Sequence, residues 1–388
     1  MLSPTSKWSY NLFLNTFLLI FVLSFNLGSS TSKCNPNDKN NLLEIKKHFN
    51  IYGNASTFVS WDPNTDPCTN WTVGINCDTN GRVTNLLISS DYDVVGEIPA
   101  SIGELPYLQS LYLSYLPHLS GPIPLFLAKL TNLEQLKLGY NLSGSIPEFL
   151  GQLKKLTVID LSSNTLTGSI PSSLSHLPKI RYISFENNML SGSIPTSFGS
   201  IKSLGQLFLN SNNLSGPIPS SFSRLSNLNF LDLRQNQLTG NIPPSFGSFK
   251  ALYLYLSFNN LSGPIPRSFG NANLPQLLIS NNKFTGDASF LFSKDNTVIS
   301  FIDISNNLFN FDFSNVDLPQ SLNYLDISHN KIYGSLPKRL GQLPLKGIDV
   351  SFNQLCGKIP TGRRLKRFKP TLFSNNKCLC GPPLLPCR

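Results

Sequence analysis

The stretch LNFLDLRQNQLTGNIP, residues 228–243, decides the fold. Leu231 and Leu233 alternate with Phe230, Asp232 and Arg234, the period of a strand with one buried and one open face. Asn236 follows, where a carboxamide can bond neighbouring backbone and turn the chain under the leucines. Gly240 permits a positive φ, and Pro243 fixes φ and removes a donor. Working outward, G-x-[IL]-P recurs with Gly at 96, 121, 144, 168, 192, 216, 240, 263, 334 and 357. Successive spacings are 23 to 25 residues up to Gly263, and degenerate copies at Gly286-Asp-Ala-Ser and Phe311-Asp-Phe-Ser fill the gap before Gly334. About twelve units of ~24 residues result. Segments such as Pro171 to Leu177 supply a short helical return. One unit cannot bury its apolar face alone, so stability must come from stacking and from capped ends. The predicted architecture is an α/β solenoid with a parallel sheet along its concave face. The third unit, LGYNLSG, is one residue short, so its turn Asn is either missing or replaced by Asn141.

The ends differ from the array. Residues 1–32 read as a signal peptide, whose apolar core Leu12 to Leu27 follows Lys7 and runs into Gly28, Ser29 and Ser30. Cleavage is expected between Gly28 and Lys33, leaving no stable membrane insertion. Residues 33–80 form an N-terminal cap with the amphipathic stretch NNLLEIKKHF, Trp61 and Trp71. The repeat array occupies 81–355, and 356–388 form a C-terminal Cys-rich cap. Five N-x-Ser/Thr sequons, at Asn54, Asn70, Asn141, Asn213 and Asn260, fit an exported glycoprotein. The seven cysteines cluster at the two ends, as expected for disulfides that clamp caps. No C-x-x-C pair is present, which speaks against zinc. Neither a cofactor nor a metal is expected.

The chain has 388 residues, a hydrophobic fraction of 40% and 27 Phe, which excludes a disordered chain. Its formal charge of +10 is not spread evenly. Residues 331–388 hold 12 Lys/Arg and one acid, against 19 and 20 in residues 1–330. A dense cationic cap binds polyanions whatever their chemistry. Lys338, Arg339, Arg363, Arg364, Lys366, Arg367 and Lys369 are the candidates, and an acidic polysaccharide is one such polyanion outside a cell. Nucleic acid is excluded by the expected export and by the absence of interleaved aromatics.

At this point the sequence resembles plant leucine-rich-repeat proteins, and more narrowly the polygalacturonase-inhibiting proteins. The residues that carry the resemblance are CNPNDKNNLLEIKKHF from Cys34, GELPYLQSLYL from Gly103 and GDASFLF from Gly286. LDISHNKIYGSLP from Leu325 and LCGKIP…NNKCLCGPPLLPC from Leu355 complete them. The resemblance implies a leucine-rich-repeat horseshoe, secreted to the cell wall, that binds and inhibits a microbial pectin-degrading polygalacturonase in plant defence. It implies pairing of Cys68 with Cys77, Cys356 with Cys378 and Cys380 with Cys387. Cys34 is then free or competes with Cys77 for Cys68. Three departures stand out. Family members have about ten repeats, and the surplus here lies near residues 201–248. Pro67-Cys68 replaces the family's adjacent cysteines, and GRRLKRFK (362–369) is more basic than the family pattern.

The outward strand positions are the candidate partner surface. They include Asp160, Tyr182, Glu186, Asp232, Arg234, Tyr253, Tyr255, Phe301, Asp303, Tyr324, Asp326 and His329, with Tyr112, Lys137, Phe208 and Asp349 beside them. Aromatic residues give rigid contact area, and six acids against two bases suit a basic partner patch. By the resemblance, Asp160 and Glu186 sit where inhibitors carry acidic concave residues, and His329 lies in the matching strand. Leu278 takes a place often held by Asp.

Catalysis lacks parts. The four histidines, His48, His118, His176 and His329, lie in separate units, and no G-x-S-x-G, H-E-x-x-H or phosphate-loop motif occurs. Asp303 and Asp326 could face each other as glycosidase carboxylates do, but successive L-D-I strands produce that pair for structural reasons. No catalytic residue is expected. The alternative to an inhibitor is a non-inhibitory recognition or developmental protein, a receptor-like ectodomain without a kinase. Ice binding is more distant, because it wants regular Thr or Asn ranks, whereas outward positions vary from Val158 to Phe301.

Overall fold

A computed structural model describes residues 32–51, 58–71, 74–249 and 252–387. The leader up to residue 31 and the sequon at Asn54 lie outside the described residues. The organising element is a 13-stranded sheet. Its edge strand Ile75–Cys77 runs antiparallel to Val83–Ser89. Twelve parallel strands follow in chain order to Gly347–Asp349, one for each repeat. Register is strict: Leu207 pairs with Leu231 and Leu231 with Leu254, so every inward Leu meets the one above it. These side chains are 0% exposed and form one continuous core.

A second sheet of six strands, from Ser191–Ser193 to Leu308–Phe309, lines another flank of the solenoid. Between the sheets lie 3-10 turns such as Ser220–Arg224, whose Phe side chains (Phe198, Phe222, Phe246, Phe269) fill the core as a buried spine. Gly240, at φ +77, makes the bend into such a turn, a conformation L side chains rarely adopt.

The turn asparagines form a ladder from Asn164 onward. Asn236 Nδ2 donates to Leu209 O of the preceding repeat at 3.0 Å and to Leu233 O of its own at 3.2 Å. Its Oδ1 accepts from Leu214 N–H at 3.0 Å. Backbone groups that face the core at a turn have no strand partner, and the carboxamide supplies one. The first three repeats lack this device. Asp91 and Leu116 occupy the ladder place in two of them. In the short third repeat Asn141 is exposed, and Leu142 N–H is met from the next repeat by Asn164 Oδ1 at 2.9 Å.

One regularity of the second sheet and its continuation was missed in the sequence. The residue before the turn glycine is Ser or Thr in eight successive repeats, from Ser120 and Ser143 to Ser262 and Thr285. All eight are exposed or half-exposed. The varied outward positions beside the leucines belong to the other sheet.

Each end is sealed. At the N-terminus helix Pro36–His48 is capped by Asn35, and Asp38, 1% exposed, receives Arg82 at 2.8 Å and the Val83 N–H at 2.9 Å. Trp61 stacks on Trp71 with centroids 4.8 Å apart. Cys68 is bonded to Cys77. At the other end strand Cys378–Cys380 adds to Gln354–Lys358, and Cys356–Cys378 and Cys380–Cys387 are bonded.

Candidate functional site

The outward side chains of the large sheet fall into three ranks. Tyr182, Phe230, Tyr253, Phe301 and Tyr324 belong to the first. Asp160, Asp232, Tyr255, Leu278, Asp303 and Asp326 form the middle one, and Glu186, Asn210 and Arg234 belong to the third. Strand pleating sends alternate residues to this face, and the parallel register places equivalent positions side by side.

Its centre is aromatic. Phe208 lies 5.4 Å from Tyr182 and 4.8 Å from Phe230, ring centroid to centroid. Phe230 meets Tyr253 at 5.8 Å and Tyr255 at 5.1 Å. The Arg234 guanidinium sits over Tyr255 at 4.8 Å. Phe230, Tyr255 and Leu278 are 3–4% exposed and make a small second core on the open side of the sheet. Phe301 and Tyr324 stack at 5.0 Å as a separate pair.

The acids are not equivalent. Asp160 is held by Lys137 at 3.0 Å. Burial alone would lower the Lys137 pKa, but Asp160 outweighs it and holds the pKa up. Asp232, 2% exposed, receives Arg234 Nε at 2.9 Å. Glu186 makes no ion pair among the described residues, and Arg234 acts on it only from a distance. Burial raises its pKa, the charge of Asp232 adds to the rise, and a hydrogen bond with Asn210 opposes it. Asn210 is 4% exposed, and its Oδ1 has no hydrogen-bond partner among the described residues. A buried acceptor left unpaired is costly.

Asp303, Asp326 and Asp349 stand in register on adjacent strands. Each carboxylate accepts from the serine two residues on: Ser305 Oγ at 2.6 Å, Ser328 Oγ at 2.7 Å and Ser351 Oγ at 2.6 Å. Burial raises all three pKa values, and the neighbouring Asp303 charge lifts Asp326 further, to about 8.

Two expectations need correction. His329 does not project from the sheet; it takes the turn after strand Tyr324–Asp326 at φ +53 and stacks on Phe352 at 4.1 Å. The residue before each ladder Asn must be left-handed, and His329 precedes Asn330. Tyr255 faces the open side but is 3% exposed, because Phe230, Leu278 and Arg234 cover it. Asn210 was not foreseen as a site residue; it occupies the same rank as Glu186 and Arg234, and that shared place was the available signal.

In the basic cap Arg363, Arg364, Lys366, Arg367, Lys369 and Lys338 are exposed. Arg364 also donates to Pro344 O at 3.1 Å, and Arg339 lies 3.8 Å from Asp317. The sequons Asn141, Asn213 and Asn260 are exposed on the flank of the second sheet, and Asn70 is exposed in the cap.

Known proteins match along nearly the whole chain. Residues 35–78 match the Leucine rich repeat N-terminal domain, and 131–190, 154–214, 227–249, 252–272 and 321–343 match Leucine rich repeat families. Polygalacturonase inhibitor 1 of Arabidopsis thaliana is 48% identical over 378 residues, covering 96% of this chain and 98% of that relative. The Leucine-rich repeat protein FLOR 1 of the same plant is 42% identical over 379 residues, covering 97% and 99%. Among solved structures a plant ice-binding protein matches at TM-score 0.56 and 38% identity, over 92% of this chain and 99% of its own.

Proposed function

This chain belongs to the polygalacturonase inhibitor family, and on that footing we propose that it binds and inhibits a pectin-degrading polygalacturonase through its concave face. Identity of 48% across both caps and the array is the observation that carries this reading. The site is a binding surface and not a catalytic one, in keeping with relatives that are inhibitors. Tyr182, Phe208 and Tyr253 supply the rigid aromatic contact. A Lys or Arg of the enzyme meets Glu186, whose carboxylate is left short of compensation by burial and by the Asp232 charge. Asp160 and Asp232 contribute less, because Lys137 and Arg234 already neutralise them.

The protein acts outside the cell, in the wall, once its leader is removed. No helix among the described residues is long and apolar enough to cross a membrane. Its basic cap holds it on de-esterified pectin, the substrate of the enzyme it inhibits. Titrating the protein against fungal, bacterial and insect polygalacturonases tests the main reading. Stoichiometric loss of turnover is expected for at least one enzyme. Full inhibition by the combined Tyr182→Ala, Glu186→Ala and Tyr253→Ala variant would overturn the assigned surface.

A second reading, ice binding, is favoured by the eight-residue hydroxyl rank and by the likeness to the ice-binding protein. Glycans at Asn141, Asn213 and Asn260 would crowd that flank. Recrystallisation of ice at micromolar protein, compared before and after removal of glycans, separates this reading from inhibition.

A further inference from the structure

Cys34 lies against the disulfide of its own cap. The sulfurs of Cys34, Cys68 and Cys77 all fall within 4.8 Å of one another. Cys68 and Cys77 are bonded, and Cys34 is the free cysteine. The backbone holds Cys34 and Cys68 together. The Asp66 carboxylate accepts the Cys34 N–H at 2.9 Å on Oδ2 and the Cys68 N–H at 2.9 Å on Oδ1. Gly81 O accepts from Asn35 N–H at 2.8 Å and lies 3.8 Å from Cys68 Sγ. The Asp66 carboxylate thus fastens the segment of Cys34 to that of Cys68, and it does not depend on the bond to Cys77.

We propose that the N-terminal cap carries an exchanging disulfide, in which Cys34 bonds to Cys68 and Cys77 becomes the free thiol. Cys34 loses its proton and the thiolate attacks Cys68 Sγ. The Cys68–Cys77 bond breaks, its electron pair leaves on Cys77 Sγ, and that sulfur takes up a proton. No oxidant or reductant is consumed. The new bond closes a loop of 34 residues in place of 9, which restrains the unfolded chain more.

The exchange relocates the odd thiol. Cys34 is 4% exposed, whereas Cys77 is half-buried and ends the edge strand Ile75–Cys77 of the large sheet. Cys77 is therefore the modification site of the cap for a soluble disulfide or an alkylating reagent. The attacking thiol sets the rate. Burial pushes the Cys34 pKa up to about 12; Asp66 and Asp38 raise it, while Lys39 and Arg82 pull it down. Only the thiolate attacks, so acidic surroundings lock the cap and alkaline ones release it.

The test is native alkylation of the full chain with N-ethylmaleimide at pH 6, 7, 8 and 9, followed by acid quench and peptide mapping without reductant. The expected product carries the label on Cys77 and a Cys34–Cys68 crosslink, at a rate that rises about tenfold per pH unit. Label on Cys34 with Cys68–Cys77 intact would overturn the proposal, as would no label in the folded protein. Cys34→Ser should cut labelling of Cys77 at least a hundredfold, and undiminished labelling there would also overturn it. Folded Cys77→Ser should contain a Cys34–Cys68 bond, and two free thiols in that variant would count against the exchange. Should Cys77→Ser fail to fold, the wild-type mapping and Cys34→Ser decide the matter.

Discussion

Asp326 stands directly beside Asp303 across the parallel strands Phe301–Asp303 and Tyr324–Asp326, and each is bonded to the serine two residues on. Two carboxylates so placed cannot both ionise cheaply. Burial and the Asp303 charge bring Asp326 to about 8, against about 3.9 for an unfolded Asp. The native state therefore keeps a proton that the unfolded chain has released. Stability from this pair is complete below the unfolded pKa and is lost as pH rises towards 8. Urea unfolding should show its highest midpoint near pH 4–5 and a decline to pH 8. Asp326→Asn should flatten that slope, and an unchanged slope would remove Asp326 as its cause.

Arg234 and Asp232 are a buried pair on an otherwise open face, with Asp232 at 2% exposure. Removing only the cation strands a buried charge and uncovers Tyr255. Arg234→Ala should cost about 3–5 kcal/mol in urea denaturation. The double variant Asp232→Asn, Arg234→Gln should cost clearly less, since no unpaired charge is left behind. Equal losses in the two variants would mean that contact area and not charge holds this spot together.

The asparagine ladder makes a graded prediction. Asn236→Ala leaves Leu214 N–H, Leu209 O and Leu233 O without their side-chain partner. Its cost should be about 1–3 kcal/mol, the usual penalty for orphaned buried groups. Asn141→Ala should stay within about 0.5 kcal/mol, because that side chain is exposed. Chemical denaturation of the two variants in parallel checks the contrast.

The C-terminal cap should bind pectate in a salt-dependent way. Replacing Arg363, Arg364, Lys366 and Arg367 with Gln should move elution from immobilised pectate to lower salt while leaving inhibition of a responsive enzyme unchanged. Arg364 should contribute least of the four, since part of its guanidinium is engaged by Pro344 O and Leu345 O. Equal retention of wild type and variant would sink polyanion binding by this cap.

Much of the fold was legible because the repeat is short and its parts are local. Leu231, Leu233, Asn236 and Gly240 each have a reason within sixteen residues of sequence, and copying that reason twelve times yields the sheet. The candidate site was legible only as a list of outward positions. Tyr255 and Arg234 read alike as exposed contact residues, yet one is covered by the other. His329 read as a strand residue, because the sequence DISHN does not reveal where the strand ends and the left-handed turn begins.

By itself the sequence determined a stacked solenoid, its inward leucines, its recurring turn asparagines and the concentration of charge in residues 331–388. These follow from periodicity and composition, which are properties of neighbours along the chain. Tertiary structure alone decided which acids are spent on Lys137 and Arg234, and that Asn210 Oδ1 has no partner among the described residues. It also decided that Cys34 rests against Cys68 and Cys77. Most of these facts depend on neighbours one repeat or more away in sequence, brought within a few ångströms by stacking. No local pattern encodes whether two side chains from different turns of a solenoid point at each other or past each other.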